Sequence, residues 1–449
     1  MRLRHSLVTF TLALCGVAVA VVPVAADGVA ADELTPTVVT MVGAAAYADE
    51  ATTLEIDLAT LLGTPVAGAP LIVQRRTDRW RRVASVETDD VGHADLEVTL
   101  SRSASENTFR ARFTGDETYS SSGSGPVTVP LVRRESTLRL SGPGTVVDET
   151  SVPIQVRWLA ANGAPVAGRV TLDRRIAGGE WEEVRETTTD EDGRATVTVH
   201  PRTDTRWRAR GHPQDWVAGA RSAVHVIDNL PPGIPVVLPA RAPVSTPLPD
   251  QPHAVGEGAN PVIFRIPDAV WLQMKGRSWH QGCPVPRARL RLLRINYWDF
   301  LGYRRRGELV AHRDSIQVMA DALSDLYDRL LPLRATYRVD RFGWSDVLHG
   351  ADNYASMSAD NSSAFNCRSV VGKPGSLSPH AWGRSIDLNP WENPYQSQEG
   401  TVPNSWWLSH SHPRVAWRST AHEVVGVMAA HGLQWTYGTK DSQHFDVVP

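Results

Sequence analysis

The sequence predicts a multidomain chain: two tandem all-β sandwiches followed by an α+β domain. Three observations predict it. Residues 33 to 228 repeat themselves at an offset of about 100. Each copy alternates apolar and polar residues in short runs, and helical periodicity first appears beyond a proline-rich tract that ends near residue 261. A length of 449 residues also exceeds what one ordinary core accommodates.

Residues 1–26 begin with Arg2 and Arg4, continue through an apolar run from Leu7 to Val22 and close on Val24-Ala-Ala26. This reads as a secretory signal peptide with a small-residue cleavage site, the rival being an uncleaved anchor. A secreted, extracellular protein is expected. The composition, 42% hydrophobic and 21% charged, is that of a soluble globular chain. A formal charge of −3 gives no electrostatic reason for a nucleic-acid partner, and a monomer is expected.

The repeat is direct. Gly63-Thr-Pro-Val-Ala-Gly68 returns as Gly163-Ala-Pro-Val-Ala-Gly168, Trp80 is answered by Trp181, Gly92 by Gly193, and Phe109-Arg-Ala-Arg112 by Trp207-Arg-Ala-Arg210. Runs such as Ala94–Leu100 and Arg194–His200 set alternate side chains on opposite faces of a strand. Several short strands punctuated by Gly, Pro and Asp predict immunoglobulin-like sandwiches at 33–131 and 135–228. Trp80 and Trp181 are expected at the core or a strand edge, with ligand stacking as the rival. Such modules serve as stalks, spacers or binders of wall polymers, and fold alone does not choose among these.

Residues 229–261 predict an extended linker. Nine prolines fall between Pro231 and Pro261, and in polyproline geometry this tract would span roughly 95 Å. A packed interdomain strap is the alternative. In the last domain, 262–449, Asp314 is expected to cap a helix running to Leu331 with Ile316, Met319, Leu323, Leu326 and Leu330 on its core face. Thr420-x-x-Glu423 reads as a capping box for a second helix stopped by Gly432. His422-Glu423 lacks the second histidine of the zinc-protease helix motif, because Gly426 stands in its place.

Chemistry concentrates in Gly375–Pro390. His380 and Asp387 are read as two zinc ligands. On a straight helix they would lie about 10 Å apart, far more than two bonds of about 2 Å allow, so the segment must fold back, with Gly383 free to take a positive φ. His444, in Asp441-Ser-Gln-His444-Phe-Asp446, is the third candidate, and His410 with His412 is the rival source. Two imidazoles and a carboxylate leave a zinc ion net positive with one position open to water. Asp446 is a candidate for orienting a ligand or simply a solvated carboxylate. Two cysteines, Cys283 and Cys367, remain beyond the signal segment. Export lets a disulfide persist and they are expected to pair, the alternatives being zinc ligation, for which the spacing is wrong, or two free thiols.

Ser378-x-His380-x-x-Gly383-x-x-x-Asp387 with Asp441-x-x-His444 resembles the D-alanyl-D-alanine carboxypeptidase-like zinc peptidases, nearest the branch of L-alanyl-D-glutamate endopeptidases found in lysins. The resemblance covers roughly the last 185 residues and includes Ala364-Phe-Asn-Cys-Arg368, Asn393-Pro-Tyr395 and Gln443-His-Phe445. It implies an α+β domain with a small antiparallel sheet, Zn2+ held by His380, Asp387 and His444, Asp441 as general base, and Arg368 holding a substrate oxygen. Ser378, Trp382 and Tyr395 are expected to contact substrate, with a turn hydroxyl bonded to local backbone as the rival role of Ser378, and Trp382, Trp391, Trp406 and Trp407 either to wall the cleft or to fill core. The implied substrates are peptidoglycan stem peptides, cut as a D,D-carboxypeptidase or an L-Ala-D-Glu endopeptidase would cut them. The rival is a wall-binding or adhesin-like protein that keeps the metal without turnover. Two departures stand out: Ser385 occupies a usual alanine, and the tryptophan-rich run before the last ligand is reduced to Trp435-Thr-Tyr437.

Overall fold

A computed structural model describes residues 33–448; the expected signal peptide at 1–26 lies outside them. Among these residues no helix is long and apolar enough to cross a membrane. The fold is multidomain and mostly β. Two compact units emerge, one holding residues up to Ser136 with Pro213–Gly219, the other Thr137–His212 with Ala220 onward.

In the first unit, strands Thr37–Gly43, Ala51–Thr60 and His93–Thr99 form one antiparallel sheet. Trp80–Glu87, Pro70–Arg76, Thr108–Phe113 and Ser122–Gly123 form the other. Period-two alternation sends Val39, Met41, Leu54, Ile56, Leu71, Val73, Phe109 and Phe113 into one core. The second sandwich repeats the plan: Ser136–Ser141, Val152–Ala160 and Arg194–Val199 in one sheet, and Thr145–Val147, His225–Leu230, Thr205–Gly211, Arg169–Ile176 and Glu182–Thr188 in the other. Gly92 and Gly193 sit at φ 74° and 71°, and a Cβ on either would stand within 2.5 Å of the carbonyl oxygen of Leu58 or Trp158. Only glycine closes both turns. The cores differ by a size exchange. Trp158 fills its layer because Gly211 leaves room, a Cβ there falling 2.8 Å from the indole, where the first sandwich has Leu58 and Phe113.

The proline-rich tract is a strap and not a free linker. Proline removes donors but leaves carbonyls, and the C-terminal domain supplies what those carbonyls need. Trp391 Nε1 donates to Pro243 at 2.8 Å, Tyr337 Oη to Pro249 at 2.7 Å, and the Arg306 N–H to Pro252 at 2.8 Å. Buried Gln251 accepts from Tyr297 Oη at 2.6 Å and from the Thr336 N–H at 2.7 Å. These bonds remove the reach an unattached tract would have. The second sandwich joins the same unit through Arg304 with Glu149, and through Tyr303 Oη, which donates to the Asn229 carbonyl at 2.6 Å.

In the C-terminal domain Val262–Arg265, Leu290–Trp298 and Arg304–His312 form an antiparallel sheet, and the helix Ile316–Asp328 packs against its central strand. Ile316, Met319, Leu323 and Leu326 are buried as the periodicity predicts. The helix starts after Ser315, because Asp314 lies beside His312 and Arg313 instead of capping, and it ends at Asp328, since Leu330 turns to φ 56°. The second helix, Glu423–Ala430, is capped by His422, whose Nδ1 accepts from the Val424 N–H at 3.2 Å, in place of Thr420. His431 at its end bonds Asp325 Oδ2 at 3.2 Å. This helix and Ile316–Asp328 share one core with Ile386, Leu388, Trp417 and Phe445, which fixes the small sheet that carries the site.

Candidate active site

Ser378 caps the short 3-10 turn Pro379–Trp382, its Oγ accepting from the His380 N–H at 3.3 Å. Gly383 ends the turn at φ 65°, and a Cβ there would lie 2.7 Å from the His312 backbone nitrogen. The reversal that glycine permits brings Ser385–Asp387 antiparallel to His444–Val447, with Asp387 opposite His444. Asp387 exchanges both backbone hydrogen bonds with Ser363, at 2.8 and 3.0 Å. Its pairing with His444 is therefore of the non-hydrogen-bonded kind, in which facing side chains stand closest.

The three buried side chains converge. His380 Nε2 lies 3.0 Å from His444 Nδ1, and Asp387 Oδ1 is 3.1 Å from each. Four-coordinate zinc with bonds of about 2.0–2.1 Å separates its ligands by about 3.3 Å, so this triangle fits one face of such a site to within a few tenths of an ångström. The tautomers suit it too. His380 Nδ1–H donates to the Ala364 carbonyl at 2.7 Å, and His444 Nε2–H donates to Asp446 Oδ1 at 2.9 Å, leaving the other nitrogen of each ring facing inward. Burial raises the Asp387 pKa, but His380 and then His444 outweigh it and hold the carboxyl well below its usual range. Burial lowers that of His444, yet Asp387 and Asp446 on either side raise it to about 10. A cluster that holds a proton this firmly offers a cation a negatively charged seat. His380, Asp387 and His444 thus fit a divalent ion.

Beside them is a cavity of about 520 Å3 lined by Arg368, Ser378, Tyr395, Tyr437, Asp441 and Gln443 among others. Asp441 is partly exposed as a residue, but its Oδ1 is shut off from solvent and meets no donor. Burial pushes this carboxyl up to about 7, His444 opposing and Asp387 adding to the rise. Arg368 is buried, donates through Nη1 to the Ser369 carbonyl at 2.9 Å, and keeps an unpartnered Nε. Burial lowers its pKa, against the pull of Asp387 and Asp441. The disulfide Cys283–Cys367 anchors the residue just before it.

Other expected residues lie elsewhere. Trp382 is 51% exposed and lines a separate depression with Arg289, His312 and Arg384. In a turn of three residues per revolution, positions 380 and 382 leave in different directions. Trp391 holds the strap, while Trp406 and the buried Trp407 pack edge to face, and none of the three lines the cavity. His410 stacks on Trp406 at 3.6 Å, and His412 pairs by backbone with Ala416, so neither joins the cluster. Ser385, buried, donates to Asp446 Oδ1 at 2.5 Å, a link that an alanine would lack. Lys373 and Lys440 also line the cavity. Only three of the 46 basic residues are lysine, so two of the three at one site was a signal that composition could have offered.

Residues 371–447 match the family model described as D-alanyl-D-alanine carboxypeptidase. No curated protein matches the chain. Among solved structures it is similar to a tetra-tandem repeat in the extending region of a large adhesion protein, at 10% identity and TM-score 0.30, over 62% of this chain and 64% of that one. It is also similar to invasin, a bacterial integrin-binding protein, at 13% identity and TM-score 0.30, over 60% of this chain and 47% of that one. A third is the D0–D1 domain of intimin, at 16% identity and TM-score 0.17, over 42% of this chain and 97% of that one. The chain thus spans less than two thirds of the length of the first two. The family match takes in His380, Asp387, Asp441 and His444, and it is the C-terminal domain that is D-alanyl-D-alanine carboxypeptidase-like.

Proposed function

We propose that the C-terminal domain is a zinc-dependent peptidase that hydrolyses an amide bond in peptidoglycan stem peptides, and that the protein acts outside the cell at the wall. The observation that carries this reading is the meeting of His380, Asp387 and His444 within 3.1 Å of one another beside the undonated Oδ1 of Asp441. Zinc bound by that triangle supplies a Lewis acid and a water acidified toward a pKa of about 7. Asp441 Oδ1, free of other bonds, is placed to accept the proton of an attacking water and would return it to the leaving amine. Arg368 Nε, equally free, donates to the substrate carbonyl oxygen as negative charge grows on it. Tyr395 and Tyr437 wall the cavity, and Lys373 and Lys440 give it positive charge suited to an acidic peptide.

Purified sacculi incubated with the protein and zinc are expected to release new amine termini, and His380→Ala is expected to release none. Mass analysis of the muropeptides identifies the bond, separating a carboxypeptidase from an endopeptidase. Equal release by both proteins, or zinc bound with no bond cut, would overturn the assignment.

A further inference from the structure

The outer faces of the two larger sheets share a plan and differ in charge. In the second sandwich, Asp173 lies between Glu183 and Arg208 in the strand register. Its carboxylate accepts from Arg208 Nε at 2.9 Å and from Arg210 Nε and Nη2 at 3.0 Å each, and Arg210 reaches Glu183 at 3.2 Å. Arg208 sits over the Trp181 ring at 4.3 Å. In the first sandwich the same register position is Gln74, between Arg82 and Arg110. Arg110 again covers a tryptophan, Trp80, at 4.3 Å, and donates to Gln74 Oε1 at 2.7 Å. Here the acid has become an amide, and an arginine stands where Glu183 stood.

At these four equivalent positions the first sandwich sets Gln74, Arg82, Arg110 and Arg112, and the second Asp173, Glu183, Arg208 and Arg210. The first set is cationic and the second neutral, while the next position on the same face beyond Gln74 and Asp173 is an arginine in both, Arg76 and Arg175. Arg76 extends the cationic face, and Arg76, Arg82 and Arg112 are exposed. Among the described residues, the arginines that form ion pairs in this sandwich are Arg81, Arg102 and Arg134. Glu87, opposite Pro70, lies at the other end of the sheet. Like charges on neighbouring strands destabilise a sheet, and the second copy demonstrates that this fold accommodates the acids that would relieve them.

We propose that the outer face of the first sandwich, around Gln74, Arg82, Arg110 and Arg112, binds a linear phosphodiester polymer other than nucleic acid, of the glycerol- or sugar-phosphate kind. Guanidinium groups pair bidentately with phosphate oxygens, and Arg110 and Arg112, two residues apart on one strand, are spaced about 6.8 Å along it. The choice of this polymer over nucleic acid rests on the proposed action outside the cell at the wall, but the face does not depend on the metal site, so failure of this proposal and failure of the peptidase reading are separate results.

The test uses the full chain with two probes, poly(glycerol phosphate) and duplex DNA at equal phosphate content. The unaltered protein is expected to bind poly(glycerol phosphate), with affinity falling about tenfold between about 50 and 200 mM salt. The double change Gln74→Asp with Arg82→Glu installs the acids that the second sandwich already carries. It is expected to weaken binding at least about tenfold at low salt while circular dichroism and cleavage of soluble muropeptides stay unchanged. Arg112→Gln, which adds no charge pair, is expected to weaken binding about threefold and guards against a folding defect in the double variant. Absence of binding by the unaltered protein, equal binding by the variants, or tighter binding of DNA than of poly(glycerol phosphate) would overturn the proposal.

Discussion

Asp173 in the second sandwich and Asp387 in the C-terminal domain are both buried carboxylates held between two nitrogen bases. Their partners make them different. A guanidinium stays charged in proteins, so between Arg208 and Arg210 Asp173 can only be a neutralised structural link. His380 and His444 can each present a bare ring nitrogen, so the same carboxylate geometry becomes a seat for a cation. The residues flanking an aspartate, more than its burial, decide whether it holds a sheet together or does chemistry.

The largest expected effect breaks the second arrangement. Asp387→Asn should lower zinc affinity by more than about a hundredfold, measured by competition with a chelator, and should reduce amine release from sacculi to background. Asp441→Asn should leave zinc affinity within about threefold and lower the rate of release about 10²- to 10⁴-fold, because it removes the proton acceptor and not a ligand. If Asp441→Asn instead loses the metal, Asp441 belongs to the binding set and its assignment as base is wrong.

Much of this contrast could be read from the chain before any fold was known. The pairing of Gly63–Gly68 with Gly163–Gly168 revealed the duplication, and the need for His380 and Asp387 to fold back pointed to Gly383, which turns at φ 65°. What stayed hidden depended on direction and on partners distant in sequence. Spacing alone does not tell that a 3-10 turn sends Trp382 away from His380. Nor does it tell that carbonyls of a proline-rich tract find donors in Trp391 and Tyr337, separated from it by 148 and 88 residues. Ser385 reads as a near-isosteric replacement until strand pairing sets it opposite Asp446.

Breaking the structural member of the comparison should cost less and touch only stability. Asp173→Asn keeps the shape but removes the charge and turns one of the two acceptor oxygens into a donor that faces guanidinium N–H groups. Because Arg208 and Arg210 are 25% and 32% exposed, solvent offsets part of the loss, and a destabilisation of about 1–2 kcal/mol in urea unfolding is expected. Zinc affinity should not change. A drop beyond about 4 kcal/mol would mean that the pairs are effectively desolvated.

A third buried carboxylate has an acid for its neighbour. Neither oxygen of Glu392 meets a donor hydrogen among the described residues; beside it lies the Asp360 carboxyl, with Arg334 at 3.4 Å from Asp360 Oδ2 and 3.9 Å from Glu392 Oε1. Burial first, and the Asp360 charge second, raise the Glu392 pKa well above its ordinary value, so the folded protein holds a proton that the unfolded chain releases at about 4.5. Folded protein then binds more protons than unfolded, and the contribution of this group is complete below pH 4.5 and declines as pH rises toward the folded pKa. Glu392→Gln retains a donor to Asp360 and has no proton to lose. Its stability relative to the unaltered protein should therefore increase from pH 4.5 upward until the pH passes the folded pKa of Glu392, read by urea unfolding at a series of pH values. A difference that stays flat across that range would mean that Glu392 is ionised in the folded protein, with Arg334 as its true partner.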